Sequence, residues 1–214
     1  MDTTNGVTVA EDGADHWQWR PDWADERTCA FWYVTVPDGA VRLPALDAYV
    51  DALGRSPWLD PVPPRWWHLT LTEIGYDDEL GADLLAEVAA TVRSRLAGRG
   101  PLELELGPVV RFRTAIALTA GPDETLRELQ ALVRRRTQEV LGEERPVVHP
   151  TRFRPHVSLA YLNRAVPAAD LDRAVADASV VRATVPVDRL TLAVVTRRDR
   201  HYQWHVLDEL KLGR

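Results

Sequence analysis

Cysteine occurs once in this 214-residue chain, at Cys29, which excludes an intramolecular disulfide. Lysine also occurs once, at Lys211, so every other basic side chain apart from histidine is arginine. Arginine's planar fork suits phosphate, although GC-rich codon usage produces the same bias and is the plainer reading. Long apolar runs are missing: none approaches the roughly 20 residues of a membrane span, and no membrane partner is expected. Residues 1–15 are polar and acidic, without a basic stretch followed by an apolar one, which is not the pattern of a secretory signal. A cytoplasmic protein is the resulting expectation. Excess positive charge is missing too. At a net charge of −6 the chain is no general polyanion binder, and any contact with nucleic acid must be local, through arginines gathered at a cleft. What remains, 45% hydrophobic and 27% charged, is an ordinary globular composition that fits one large domain or two small lobes sharing a core.

Against that background one pattern occurs twice. His68-Leu69-Thr70-Leu71 and His156-Val157-Ser158-Leu159 lie 88 residues apart, each in an apolar run that reads as a β-strand. Side chains two residues apart on a strand share a face. His68 and Thr70 therefore point one way, as do His156 and Ser158, with the apolar residues between them on the other side. Each strand offers a titratable base and a hydroxyl to the same space. Two such strands facing each other would surround an anionic substrate with a proton donor, a proton acceptor and two hydrogen-bond donors. That set is sufficient for phosphoester chemistry without a metal.

The rest of the chain reads as a duplicated α+β unit. Residues 1–27 form a tail and a Trp-rich segment, His16-Trp17-Gln18-Trp19-Arg20-Pro21-Asp22-Trp23, expected to pack on the body of the protein. Residues 28–214 form a single bilobal domain. A strand at 31–36 precedes a short helix at 44–53, and a Pro-rich connector at 57–64 leads to the first motif strand at 66–74. Leu80, Leu84, Val88, Val92 and Leu96 recur every four residues as one face of a helix that ends near Gly98. Leu102, Leu104 and Leu106 alternate with glutamates along the next strand. The second half repeats the order. A strand at 114–119 is followed by a helix opened by Pro122, Asp123 and Glu124, striped by Leu126, Leu129, Val133 and Val140, and closed by Gly142. The second motif strand runs over 153–162, a helix over 167–178, and two strands at 190–196 and 202–207 form a hairpin. The opening strand precedes its motif histidine by about forty residues in both halves. Two copies packed about a pseudo-twofold axis, as lobes near 28–110 and 111–214 with strand exchange possible, would bring the two motifs face to face.

On these two motifs the chain resembles the 2H phosphoesterase superfamily, which includes bacterial 2′-5′ RNA ligase and RNA 2′,3′-cyclic phosphodiesterase proteins. The signature is His-x-Thr/Ser-x in duplicate. Trp67 before the first copy and Phe153-Arg154-Pro155 before the second also fit, while Ser158 stands where Thr is commoner. The resemblance spans roughly residues 28–210. It implies a bilobal α+β fold with a cleft between two antiparallel sheets and helices outside. It also implies metal-independent, cofactor-free action on 2′,3′-cyclic phosphates or 2′-5′ linkages, with an RNA terminus or a small nucleotide as partner. By motif position His68 would be the proton donor and His156 the acceptor, with Thr70 and Ser158 donating to the phosphoryl oxygens. A monomer is expected, because the duplication already supplies a two-sided site. Reversible 2′-5′ RNA ligation and non-catalytic nucleotide binding are the competing readings.

Further site residues follow from proximity to the motifs. Arg154 shares the His156 face if the strand already runs there, and Arg111 and Arg113 lie near the junction of the halves. Trp66, Phe153 and Tyr33 are candidates to stack a base. Tyr161, an odd number of residues from His156, is expected in the core. His201 and His205 share a strand face but lack the Cys, Asp or Glu that would complete a metal shell. His16 reads as structural, and His149 as a loop residue near the second motif.

Overall fold

The computed structural model describes residues 11–18, 20, 23, 26–41, 43–147, 153–176, 178 and 181–212. His149, Trp19, Pro21 and Asp22 lie outside the described residues. The strands are β1 (Thr28–Thr35), β2 (Leu59–Pro61), β3 (His68–Tyr76), β4 (Leu102–Arg111), β5 (Ala115–Gly121), β6 (His156–Leu162), β7 (Ala183–Val187), β8 (Arg189–Arg198) and β9 (His201–Lys211). Between them run helices α1 (Pro44–Gly54), α2 (Asp77–Leu80), α3 (Ala82–Leu96), α4 (Asp123–Leu141) and α5 (Ala168–Ala176). Among the described residues no helix is long and apolar enough to cross a membrane.

The strands form two antiparallel sheets, in the order β3-β1-β8-β9 and β2-β6-β5-β4-β7. The fold is α+β, and the duplication is visible in the pairing. Each motif strand pairs with the opening strand of its own half, β3 with β1 and β6 with β5. The strand that follows each motif helix crosses over. β4, from the first half, pairs with β5, and β8, from the second half, pairs with β1. Each sheet is therefore built from both halves.

Two strands fall where no strand is expected from the sequence. β2 lies inside the Pro-rich connector and β7 contains Pro186. Both are outer strands of their sheet. A proline there loses no ladder hydrogen bond, because its missing N–H faces away from the only neighbour. The helix expected from Leu80 to Leu96 is two helices, α2 and α3, separated by Gly81 at φ 75. Trp66, expected on the first motif strand, belongs to a 3-10 turn, Pro64–Trp66, before it. The second motif strand begins at His156, so Arg154 precedes it. The hairpin β8–β9 turns at Asp199 and Arg200, both at positive φ, 51 and 56.

The helices cover the outer faces. α3 and α4 pack together, and α4 reaches both β3 and β5. Val34, Leu69 and Leu71 of the first sheet and Ile116, Leu118, Val157 and Leu159 of the second join Leu85, Val88, Leu126 and Leu129 in one core. A smaller apolar cluster lies on the opposite face of the first sheet: Cys29, Phe31, Tyr33, Ala193 and Val195, capped by Trp23. That inner face is the floor of the cleft.

Candidate active site

Pairing fixes what faces the cleft. His68 sits opposite Thr35 and Thr70 opposite Tyr33, while His156 sits opposite Thr119 and Ser158 opposite Ala117. Each histidine is the first residue of a strand that pairs with the opening strand of its own half. One cavity of about 680 Å³ is lined by His68, Thr70, His156 and Ser158 together. The alternation read from the sequence thus brings all four motif side chains into one space.

Both imidazoles are held in the same way. His68 Nδ1 lies 2.9 Å from the Trp66 carbonyl and His156 Nδ1 lies 2.7 Å from the Arg154 carbonyl, each two residues back along the chain. A carbonyl only accepts, so Nδ1 carries the hydrogen in both rings and Nε2 is left as the basic nitrogen. The rings are also packed. Tyr33 stacks on His68 at 4.0 Å and Trp204 meets it edge-on at 4.9 Å, while Phe112 lies tilted against His156 at 4.5 Å. Burial pulls the His68 pKa down to about 4, opposed by the Trp66 carbonyl and assisted by the positive charge His156 would carry. Burial lowers His156 as well, opposed by the Arg154 carbonyl. Both rings are therefore neutral at neutral pH.

The two motif strands share an irregularity that the spacing does not reveal. Opposite Trp32 and Tyr33, β3 places Thr72 and Thr70, and opposite Ile116 and Ala117, β6 places Ala160 and Ser158. Leu71 and Leu159 are the extra residues of one-residue bulges. Each bulge reverses the alternation just after the hydroxyl residue. Tyr161 is therefore turned onto the His156 face and lines the cavity, correcting the expectation that it belongs to the opposite side. Glu73, its counterpart five residues after His68, lines the cavity too. Burial raises the pKa of the Tyr161 phenol, which keeps it protonated.

The described residues of the Trp-rich segment, His16–Gln18, Arg20 and Trp23, pack on the body through Trp17 and Trp23 and reach the cavity. His16 and Trp23 are lining residues. Arg20 holds Glu73 through Nη1 at 2.7 and 2.9 Å and donates from Nη2 to the Tyr76 hydroxyl at 2.7 Å. Trp17 donates from Nε1 to Asp60 at 2.8 Å. Buried Arg197 donates to the carbonyls of Trp17 and Arg20, both at 2.7 Å, which ties the segment to β8. His16 reads as structural from sequence, yet it stands in the lining with its pKa lowered to about 3 by burial first, then by Arg197 and His156. The hydrogen bonds that place it there reach Thr114 and Tyr202, 98 and 186 residues further along the chain.

The other expected site residues divide. Phe153 and Arg154 line the cavity, and Arg154 does so from the lead-in to β6. Tyr33 lines the cavity as well, with its ring stacked on that of His68. Trp66 is edge-on to Trp204 at 4.7 Å, beneath the Arg65 guanidinium, and is not a lining residue. Arg113 pairs with Glu11 at 3.0 Å outside the lining, and Arg111 pairs with Asp172. Burial and then Glu73 push the Cys29 thiol up, so it stays un-ionised. His201 has Nδ1 at 2.6 Å from the Asp199 carbonyl and Nε2 at 3.0 Å from the Pro61 carbonyl. Among the described residues no group of three or more His, Cys, Asp or Glu converges as a metal site.

Comparison with known proteins agrees with this geometry. A family profile described as the 2′-5′ RNA ligase superfamily matches residues 43–199. The crystal structure of TT0787 of Thermus thermophilus is similar at a TM-score of 0.65 and 22% identity, over 86% of this chain and 97% of that one. The crystal structure of E. coli LigT complexed with 3′-AMP is similar at 0.62 and 15% identity, over 88% of this chain and 99% of that one. A structure described as a phosphoesterase is similar at 0.59 and 16% identity, over 88% of this chain and 100% of that one. Curated protein sequences give no significant match.

Proposed function

The chain belongs to the 2′-5′ RNA ligase superfamily, and from that premise we propose that its cleft is a two-histidine phosphoesterase centre. It opens 2′,3′-cyclic phosphates on RNA ends or small nucleotides. The observation that carries this reading is the matched pair of imidazoles. Each is fixed through Nδ1 to a carbonyl two residues back, each is accompanied by a hydroxyl on its own strand face, and both line one cavity.

A cyclic phosphate is a strained diester, and opening it moves two protons. His156 Nε2 accepts a proton from water as the water oxygen forms its bond to phosphorus. The bond from phosphorus to one ribose oxygen breaks, and that oxygen takes a proton from the imidazolium of His68. Motif position supports this assignment, and the reverse reaction exchanges the two roles. The negative charge of a bound phosphate raises the imidazole pKa values and so favours the imidazolium form of His68 that this step needs. Thr70, Ser158 and Arg154 line the same cavity, which supports a role for them in meeting charge on the non-bridging oxygens. Phe112, Phe153 and Tyr202 offer apolar faces to a nucleoside. The small-nucleotide form of the substrate is supported by E. coli LigT, which was crystallised with 3′-AMP and with ATP.

The test is turnover of the four nucleoside 2′,3′-cyclic phosphates, and of short RNA ending in one, with EDTA present. His68→Ala and His156→Ala are each expected to reduce kcat by about a hundredfold or more while circular dichroism remains that of the parent. Full activity in both variants would exclude the mechanism, and loss of activity in EDTA would exclude metal independence.

A further inference from the structure

The cavity that holds the two histidines carries opposite charges at separate places. Among the described residues that line it, Arg154 is the only guanidinium and Glu73 the only carboxylate. Arg154 stands just before β6, beside the histidine that opens that strand, whereas Glu73 lies further along β3, five residues after its histidine. A nucleotide has a matching asymmetry. Its phosphate is an anion, and the far edge of its base carries N–H groups that seek an acceptor. Thr70 pairs with Tyr33 and Glu73 pairs with Phe31, and both aromatic partners belong to the inner face of the first sheet. The bulge at Leu71 puts the carboxylate on the same face as the Thr70 hydroxyl. Tyr33 and Phe31 are two residues apart on β1, so Glu73 stands about 7 Å beyond Thr70 along the strand.

We propose that Glu73 is a specificity-determining residue of this cleft and accepts the two adjacent edge N–H groups of a guanine base. The proposal rests on the phosphoesterase reading, which places the cyclic phosphate between the histidines. A ribose and a base ring span the distance from a phosphate at Thr70 to the carboxylate. Around Glu73 the walls are aromatic. Trp23 lies parallel to Phe31 at 5.8 Å with 17° between the planes, and from the second sheet Tyr161 lines the cavity with His16 stacked on it at 4.1 Å. Flat walls suit a flat ring, and the hydrogen-bonding edge then decides which ring is kept. A carboxylate has two oxygens side by side and no hydrogen to give. Guanine presents two donors side by side, the ring N1–H and the 2-amino group. Adenine and cytosine set an acceptor nitrogen beside their amino group, and uracil flanks its N–H with two carbonyls, so each of these turns a lone pair toward the carboxylate. Arg20 fits Glu73 for the task. Its Nη1 reaches Oε1 at 2.7 Å and Oε2 at 2.9 Å, while Nη2 donates to the Tyr76 hydroxyl. One nitrogen shared between two oxygens leaves acceptor capacity on both, and the guanidinium charge offsets repulsion between the carboxylate and the substrate phosphate.

The test is base preference, because a ratio between substrates does not depend on the fraction of the protein that is folded. kcat/KM is measured on the guanosine, inosine, adenosine, cytidine and uridine 2′,3′-cyclic phosphates, and Kd for 3′-GMP and 3′-AMP by calorimetry, with the parent and Glu73→Gln. The parent is expected to favour guanosine over adenosine, cytidine and uridine by about tenfold or more, and 3′-GMP over 3′-AMP by a similar factor. Inosine, which lacks only the 2-amino group, falls between. Glu73→Gln replaces one acceptor by a donor and is expected to bring the guanosine-to-adenosine ratio within about threefold of unity. A glutamate that merely anchors Arg20 would leave these ratios where they are.

Turnover without preference for guanosine, inosine handled as well as guanosine, or a preference that survives in Glu73→Gln would each overturn the inference. A parent that binds 3′-GMP over 3′-AMP, loses that preference in Glu73→Gln and turns over no cyclic phosphate would remove the phosphoesterase reading and leave the reading of guanine by Glu73 standing. A parent that neither binds nor turns over any of these nucleotides overturns both.

Discussion

A neutral imidazole has one N–H, and at His68 and His156 a backbone carbonyl takes it. The tautomer is thereby set before any substrate arrives. Burial lowers both pKa values, His68 to about 4, so the singly protonated pair is most populated at a pH below the ordinary histidine value of about 6.5. Since kcat/KM reports the free enzyme, its optimum is expected on the acid side of pH 6.5, with a decline through neutrality, while kcat alone peaks at higher pH because bound phosphate stabilises the imidazolium. A kcat/KM profile still rising at pH 7.5 would contradict this. At this scale the sequence is a good guide to the motif quartet, whose alternation is local, and to Phe153 and Arg154 beside it. It fails for Tyr161 and Glu73, because a bulge inverts the alternation without leaving a mark in residue type, and for His16, whose partners are 98 and 186 residues away.

Elements were legible where a period ran unbroken. β8, β9 and α4 are periodic, and their expected positions agree with the observed ones within a few residues at most ends. β2 and β7 were hidden by prolines that are tolerated only because these strands have a single neighbour, a property of sheet order. β4 shows what such irregularities demand. Gly107 holds φ 103 where β4 breaks its register with β5, and a Cβ there would stand 2.0 Å from the Val181 carbonyl oxygen. Gly107→Ala therefore combines a strained backbone with a clash against main chain. It is expected to cost more than about 2 kcal/mol, read as a lower urea midpoint at unchanged slope. A midpoint equal to the parent's would show that β4 can shift away from Val181.

Across the whole molecule, three half-buried histidines, His16, His68 and His156, have pKa values below that of the unfolded chain. The sign follows directly. Between those depressed values and about 6.5 the unfolded chain holds protons that the folded chain does not, so stability rises with pH in that window and is complete above it. Urea midpoints are expected to fall from pH 7.5 to pH 5, and the fall should be shallower in His16→Phe, which has one such group fewer. Midpoints that hold steady or rise on acidification would contradict the burial assigned to these rings.

The crossed strands also impose an order on how the protein is made. Tyr33 pairs on one side with Thr70 and on the other with Thr191, which lies 158 residues further along the chain. At about 5–20 residues per second a ribosome needs on the order of ten to thirty seconds to deliver that partner. Until then the strand beneath His68 has a bare edge, and the aromatic ring of Trp204 that closes over the imidazole does not yet exist. The motif synthesised first is completed last. A chain broken off before β8 carries both histidine motifs in its covalent sequence and is expected to be a substrate for chaperones and proteases, so a complete cleft is reserved for chains whose synthesis has run through β9.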